Sequence, residues 1–369
     1  MLIGVPKEIK PDEYRVALPP GGAKEFIKHG HQVIVETNAG VGSGFTDAEY
    51  TKHGAEIVYS ADEVWRRADM IMKVKEPLSA EFGYLRDDLI LYTYLHLAAA
   101  EKLTHAMLES GVAGIAYETV ELSDRSLPLL QPMSEVAGRM ATQVAANYLE
   151  KPHGGRGKLM GGIPGVLPAE VVILGGGTVG TQAAHVAAGM GANVTIMDIN
   201  LQRLRFLAEI MPANVRTLFA NSANIADAIT RADVVIGAIL ITGARAPHLV
   251  TRDMLKTMQK GSVIVDVAVD QGGCIETTHP TTHSDPIFFV DDVLHYGVAN
   301  MPGAVPRTST IGLSNATLQY GLKIANMGLI DALKSDPTLA KGANTYQGKL
   351  VYEPVARAFN LDYTPLELG

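Results

Sequence analysis

At 369 residues the chain is long enough for about two domains of ordinary size, and 47% apolar side chains can fill their cores. Its 31 basic and 39 acidic side chains give a formal charge of −8, mixed along the sequence without a block of either sign, which removes the footing for nucleic-acid or anionic-membrane binding. A single cysteine, Cys274, excludes an internal disulfide, no Cys or His pair has zinc-ligand spacing, and no apolar run reaches the roughly 18 residues of a membrane helix, so a soluble protein of a reducing compartment, the cytoplasm, is expected.

The N-terminus, MLIGVPKEIK, has too short an apolar stretch for a signal peptide and reads as a strand followed by a loop. From there short β-branched or aliphatic runs alternate with amphipathic stretches, the pattern of βαβ units and a parallel sheet. Strands are expected at LIGV (2–5), QVIVET (32–37), AEIVY (55–59), MIMKV (70–74), LILYTYL (89–95) and GIAYETV (114–120). Helices fall between them, among them ADEVWRRA and AEKLTHAMLESG, the latter closed by a glycine. SEVAGRMATQVAANYLEK (134–151) reads as one long helix, and HGGRGKLMGGIPGVLP (153–168), with six glycines, as a loop.

A second set of strands follows at EVVIL, NVTIMD, VRTLFA, DVVIGAIL, SVIVDVAV and IFFVD. After the Pro302 and Pro306 loop, residues 308–335 read largely as helix. The pattern predicts an α/β protein of two Rossmann-like parallel-sheet domains separated by a cleft. The second domain, residues 129–304, is inserted into the first, residues 1–128 and 305–369, with two helices spanning the hinge. Two domains strung end to end with a helical tail is the alternative.

Residues 172–180, VILGGGTVG, carry G-x-G-x-x-G at Gly175, Gly177 and Gly180. Such a spacing alone is weak, because glycine is common, and a purely structural turn is the competing reading. Its context is specific: a strand precedes it, a helix follows, and the next strand ends in Asp198, 21 residues after the second motif glycine. The first glycine permits the tight turn, the second lets backbone approach a pyrophosphate, the third lets helix pack on strand, and helix N–H groups hold the phosphates. A carboxylate at Asp198 accepts from both ribose hydroxyls and repels a 2′-phosphate, so NAD is the expected cofactor. Arg203 and Arg205 just beyond can soften that repulsion or can simply face solvent.

Ligands of open parallel sheets gather outside the carboxyl ends of the strands. Four polar residues stand there: Arg15 on the loop after LIGV, Lys75 after MIMKV, His96 after LILYTYL, and Asp270 ending SVIVDVAVD. Each has a plain alternative: a surface charge, a salt-bridge arm, a hydrogen-bonded core histidine, and a cap for the QGG turn. Together they suit a small oxo or amino acid. Guanidinium and ammonium groups hold a carboxylate, imidazoles as a class titrate near neutrality, and a carboxyl group in a dry crevice can exchange protons with water or an amine.

GVPKEIKPDEYRVALPP, KVKEP, YLHLA, PMSEVAGRMA, the glycine motif with Asp198, VDVAVDQGGC and VANMPGAVPRTST closely resemble bacterial alanine dehydrogenases almost end to end, and more loosely the nucleotide-binding part of proton-translocating transhydrogenase. The resemblance implies reversible oxidative deamination of L-alanine to pyruvate and ammonium with NAD. It implies that Arg15 and Lys75 hold substrate and that His96 and Asp270 are the catalytic pair. It also implies cofactor contacts from Ser134, Thr178, Val179, Asp198, Arg203, Ile239, Leu240, Val267, Ala268, Val269, Asp270, Val298, Ala299, Asn300 and Met301, and a homohexamer. The sequence departs from the family pattern at Asp12, where asparagine is common, at Ala220, where a serine can contact adenosine, and at His279, where an arginine is known. Relatives that place a metal between a Glu and a His use a late helix that here offers Lys323 and Met327, so no metal is expected. A transhydrogenase-like subunit and a non-catalytic NAD-sensing module are the rival functions.

Overall fold

The computed structural model describes residues 1–239 and 246–368. The chain divides into two compact units, Met1–Met133 with Gly303–Gly369 and Ser134–Pro302. In chain order the strands are β1 (Leu2–Val5), β2 (Gln32–Glu36), β3 (Glu56–Val58), β4 (Met70–Met72), β5 (Ile90–Thr93), β6 (Ala113–Ala116), β7 (Glu170–Leu174), β8 (Asn193–Asp198), β9 (Val215–Phe219), β10 (Val234–Gly237), β11 (Val263–Asp266), β12 (Ile287–Val290), β13 (Val293–Tyr296), β14 (Ala343–Tyr346) and β15 (Lys349–Leu350).

The first unit's sheet runs β15-β14-β6-β5-β4-β1-β2-β3, and the second unit's runs β12-β13-β11-β10-β7-β8-β9. In the first, β1 to β6 pair in parallel while β14 and β15 pair antiparallel. In the second, all pairs are parallel except the edge strand β12. Helices cover such sheets, which is why the inner strands read as near-continuous apolar runs: β4, β5, β6, β10 and β11 are buried at every residue. Reading outward from β3 and from β9, both units share one order, first strand central and direction reversed beside it. Each therefore has a topological switch point, between β1 and β4 and between β7 and β10.

Local signals set the helix ends. Ser60 accepts from the Glu63 N–H to start Ala61–Arg67, and a Thr46/Glu49 capping box starts Asp47–Lys52. Gly111, at φ 73°, ends Glu101–Ser110 in the left-handed conformation that glycine adopts without strain. The long helix expected at 134–151 runs Gln131–Tyr148, beginning in the first unit and ending in the second. The late helical stretch is Pro306–Met327 followed by Leu329–Ser335, both within the first unit. The first core is centred on Trp65, fully buried and stacked on Tyr84 at 5.7 Å; the second gathers Val172, Ile229, Val235 and Ile264.

Several strands stop short of the apolar runs that predicted them: β4 at Met72 rather than 74, β5 at Thr93 rather than 95, β11 at Asp266 rather than 269. The reason is chemical. Past β4 and β11 one further N–H still meets the neighbouring strand, Lys73 to the Tyr92 carbonyl and Val267 to the Gly237 carbonyl. Then past β4 and β5 the N–H groups turn to carboxylates: Val74 to Glu8 at 2.6 Å, and Leu95 and His96 to Glu118 at 3.1 and 2.6 Å. The apolar run continues while the ladder has ended.

Candidate functional site

All the residues singled out by position lie at or beyond the carboxyl ends of strands. In the first unit Arg15 is on the loop after β1, Lys75 lies past β4 and His96 past β5. Arg15 is only 2% exposed. Its Nε and NH2 donate to the two carboxylate oxygens of Glu13, both at 2.6 Å, and its NH1 reaches the Met133 sulfur at 3.1 Å. Burial works against the guanidinium's charge, and the paired Glu13 more than restores it, raising its pKa. The bidentate edge of Arg15 is thus committed to Glu13.

Lys73 and Lys75, two residues apart, sit in opposite circumstances. Lys73 is buried between Glu81 at 2.9 Å and Glu8 at 3.1 Å. Burial alone disfavours its charge, but the two carboxylates raise its pKa overall. Lys75 is half-buried, and its ammonium has no ion-pair or hydrogen-bond partner among the described residues. Burial, then the charges of Arg15 and Lys10, lower its pKa. The carboxylate beside it, Glu76, pairs with Lys10.

His96 is held in an uncommon backbone conformation, φ 49° and ψ 35°, which for a non-glycine residue costs on the order of 1 kcal/mol and persists only where surroundings enforce it. The enforcing groups are visible. Glu118 accepts the His96 and Leu95 N–H groups, and the Tyr94 ring stacks on the imidazole at 5.8 Å and 12°. The Tyr94 hydroxyl in turn donates to the Leu129 carbonyl at 2.6 Å. The imidazole remains 38% exposed, with Nδ1 4.0 Å from Glu118, beyond hydrogen-bond reach. The first unit therefore brings Arg15, Lys75 and His96 together around Tyr94 and Glu76.

In the second unit the glycine turn lies between β7 and the helix Thr178–Gly189. Gly175 has φ 107°, where any other residue would be strained. A Cβ on Gly180 would run into the Gly175 carbonyl oxygen, while the space beside Gly177 is open. That division of labour, tight packing at one glycine and clearance at another beside a helix N-terminus, fits a dinucleotide pyrophosphate. Asp198 accepts from the Gly176 and Asn200 N–H groups at 2.7 and 2.8 Å, one on each oxygen, and each oxygen keeps a second lone pair for a ribose hydroxyl.

Arg203 is engaged within the second unit. Its Nε donates to the Gly176 carbonyl, its NH2 to Thr181 Oγ1 at 2.7 Å, and its guanidinium lies over the Phe206 ring, so it clamps the glycine turn rather than facing water. Ile239 borders Gly175; Leu240 lies outside the described residues. Ser134 is one helical turn before Gly138, whose Cα packs so closely on the Val179 carbonyl that a Cβ would collide; residues four apart share a helix face. Val267, Ala268, Val269 and Asp270 form the turn after β11, with Asp270 exposed. Val298 bridges to Thr281, and the Asn300 carbonyl accepts from His283. Ala299 adjoins them and Met301 is buried. His279 stacks on Phe288 at 3.8 Å.

Sequence reasoning missed Glu8, Glu13, Tyr94, Glu118 and Asp266. Glu13 and Tyr94 were within reach, each two residues from its partner, Arg15 and His96; Glu8, Glu118 and Asp266 act across 65, 22 and 8 residues of chain and left no local signal. In the late helix Lys323 pairs with Asp336, and Met327 accepts from Ser335. No helix among the described residues is long and apolar enough to cross a membrane.

Two family models match the chain, the alanine dehydrogenase/PNT N-terminal domain over residues 4–137 and its C-terminal domain over residues 141–353. The sequence is 57% identical to an alanine dehydrogenase of Methanococcus maripaludis, over 100% of this chain and 99% of that one. Among solved structures, an L-alanine dehydrogenase superposes with a TM-score of 0.95 at 53% identity, covering 98% of this chain and 99% of that one. A transhydrogenase from Sinorhizobium meliloti superposes with a TM-score of 0.82 at 27% identity, covering 95% and 99%.

Proposed function

The chain belongs to the alanine dehydrogenase/PNT family, and from that premise we propose how its residues divide the work of an L-alanine dehydrogenase. It is an NAD-dependent oxidoreductase acting on an amino acid. In the deaminating direction L-alanine, NAD and water give pyruvate, ammonium, NADH and a proton. Bound at the glycine turn, NAD supplies the hydride acceptor. Gly175, Gly177, Thr178, Val179 and Gly180 hold its phosphates, and Asp198 its ribose. Ser134, Arg203, Ile239, Val267 to Asp270 and Val298 to Met301 complete the cofactor's surroundings.

Lys75 and Arg15 hold the substrate carboxylate. His96 hydrogen-bonds the carbonyl oxygen and shuttles its proton; Asp270 draws a proton from the attacking water and handles proton traffic at the imine and carbinolamine. The observation that carries this reading is Lys75, an ammonium with no ion-pair or hydrogen-bond partner among the described residues, set beside the buried guanidinium of Arg15 and close to a strained, ring-stacked imidazole. An ammonium beside a guanidinium suits the carboxylate of a small 2-oxo or 2-amino acid. The Rossmann-type unit, residues 134–302, serves as the NAD domain and the other as the substrate domain. A cytoplasmic homohexamer is the proposed working form.

The test follows NADH consumption with pyruvate and ammonium together, then with each omitted. Activity is expected only with both. NADH oxidation that needs a second, oxidised nucleotide as hydride acceptor and neither pyruvate nor ammonium would favour a transhydrogenase-like role, and tight NADH binding without turnover under any of these conditions a sensing module. His96→Ala and Asp270→Ala should each lose at least about a hundredfold, the lower end of what a positioned acid or base contributes. Wild-type rates in both would end this mechanism.

A further inference from the structure

The turn that carries Asp270 is tied down at both ends within the second unit. At its start, the Val267 N–H donates to the Gly237 carbonyl at 2.9 Å. At its return, the N–H groups of Cys274 and Ile275 donate to Oδ2 of Asp266, at 3.0 and 3.2 Å. Asp266 closes β11 and is 1% exposed. Its carboxyl lies in a slot between two glycines. A Cβ on Gly237 would stand 2.8 Å from Oδ1, and one on Gly273, at φ 61°, would collide with Oδ2. Gly272 and Gly273 in turn donate to the Val269 and Ala268 carbonyls at 3.1 and 3.0 Å, which closes the turn around the exposed Asp270.

The arrangement repeats, with different residues, what Glu118 does for His96. There a carboxylate from elsewhere accepts the second and third N–H groups past a strand and fixes the backbone that carries the His96 side chain. At β11 the carboxylate is the last residue of the strand itself, and it holds the far side of the turn. Asp266 Oδ1 has no partner of full hydrogen-bond geometry among the described residues; beyond the Ile275 and Cys274 N–H groups, the Ala268 N–H and then the Thr278 hydroxyl favour the ionised form. A buried carboxyl with a half-used set of acceptors is costly to keep, and here what it secures is the placement of one turn.

We propose that Asp266 is a positioning residue for Asp270: by accepting the Cys274 and Ile275 N–H groups it fixes the turn 267–275, and it acts on the reaction only through that turn. The proposal rests on the reading of Asp270 as the acid–base group.

Four variants test it: Asp266→Ala, Asp266→Asn, Asp270→Ala and the double Ala variant. Steady-state kinetics, NADH fluorescence titration and thermal unfolding are measured on each. Asp266→Ala should lower kcat by about ten- to a hundredfold, the scale of a small misplacement of a reacting group. Its NADH dissociation constant should rise by less than the fall in kcat, because Val267 to Asp270 are only part of the cofactor's surroundings and the contacts at Gly175–Gly180 and Asp198 are untouched. In Asp266→Asn the amide oxygen can accept both N–H groups, so kcat should stay within about threefold of wild type. On the Asp270→Ala background the same Asp266→Ala change should cost less than about threefold more, since residues that act as a unit are not additive.

A folded Asp266→Ala protein with wild-type kcat would overturn the proposal, as would fully additive losses in the double variant. So would an Asn variant that is folded yet as slow as the Ala variant. If Asp266→Ala does not fold, Asp266→Ser, whose hydroxyl reaches less far, takes its place. Wild-type activity in Asp270→Ala would instead remove the reading on which the proposal rests.

Discussion

In the first unit the candidate groups stand among acidic side chains: Arg15 against Glu13, Lys73 between Glu8 and Glu81, the His96 backbone on Glu118. In the second, the rim is made largely of backbone and of space left by missing side chains at Gly175, Gly177, Gly180, Gly237 and Gly273. The difference follows from the proposed ligands. A small acid offers few atoms to grip, so its site is built from a few charges whose positions are fixed by other charges. A dinucleotide is long, and its phosphates are met by N–H groups that a Cβ would block. Substitutions in the first unit should therefore act through electrostatics, and those in the second through shape.

The largest effect is expected where a buried charge loses its partner. Lys73→Ala leaves the Glu8 and Glu81 carboxylates facing each other inside the protein, and breaking a buried pair in this way typically costs about 3–5 kcal/mol. The urea unfolding midpoint should fall accordingly, with the loss hardly changed by added salt, since buried pairs are poorly screened. A loss that vanishes in salt would mean the network is wetter than its geometry indicates. The second unit's counterpart is Gly180→Ala. Its Cβ overlaps the Gly175 carbonyl, so the turn must shift, at a cost of about 1–3 kcal/mol for an overpacked contact. NADH binding, read by fluorescence titration, should weaken well before pyruvate binding does. Unchanged NADH affinity would break the claim that this rim works by shape.

Lys75→Met sharpens the contrast within the first unit. Burial, Arg15 and Lys10 all disfavour the ammonium, so its removal should leave the unfolding midpoint unchanged or higher, the opposite of Lys73→Ala. The KM for pyruvate should rise about tenfold, the value of one charge-assisted contact. A destabilised protein with unchanged KM would place Lys75 in the structural network and leave the proposed carboxylate site without its second cation.

Much of this was legible in the sequence, because parallel sheets leave long apolar runs and glycine turns leave a spacing. The two antiparallel hairpins were not. Val293–Tyr296 follows Ile287–Val290 through Asp291 and Asp292, both at positive φ, and Lys349–Leu350 follows Ala343–Tyr346 through Gln347 and Gly348, again both positive. These are two-residue turns of the type that suits strand twist. Yet only the second carries the glycine that advertises one, and it lies beyond the helical stretch expected to end at 335, where no strand is predicted. Arg15, Lys75 and His96 were found by their place after strands. The carboxylates that hold the backbone around them were not, because Glu118 meets the His96 N–H across 22 residues and Glu8 meets the Val74 N–H across 66, and nothing in either neighbourhood records the other. Position past a strand also drew attention to Asp270 while passing over Asp266, whose alternation with Val265 and Val267 made it look like one more residue of a strand.

The smallest net effect is expected from two buried groups of the second unit that titrate against each other. Burial pushes Asp266 up to about 6, partly offset by the N–H groups of Ile275 and Cys274. Burial pushes His295 down to about 4. His295 Nδ1 meets the Val293 carbonyl, which can only accept, so this nitrogen carries the proton; Nε2 then accepts from the Thr277 hydroxyl. The charged or titratable neighbours are Cys274 beside Asp266, and His279 and Asp291 near His295. Between about pH 4 and 6 native Asp266 holds a proton that the unfolded chain has released, so its contribution falls as pH rises. Over about pH 4 to 6.5 native His295 lacks a proton that the unfolded chain holds, so its contribution rises with pH. The two slopes oppose, and each should appear when the other is removed. The melting temperature of Asp266→Asn, minus that of wild type, should climb from pH 4.5 to 7, because the variant no longer carries a carboxyl that burial penalises once ionised. For His295→Gln the same difference should descend over that range. Taking differences cancels every other titrating group, so a value flat with pH for either variant would show that the group it replaces keeps its ordinary pKa inside the fold.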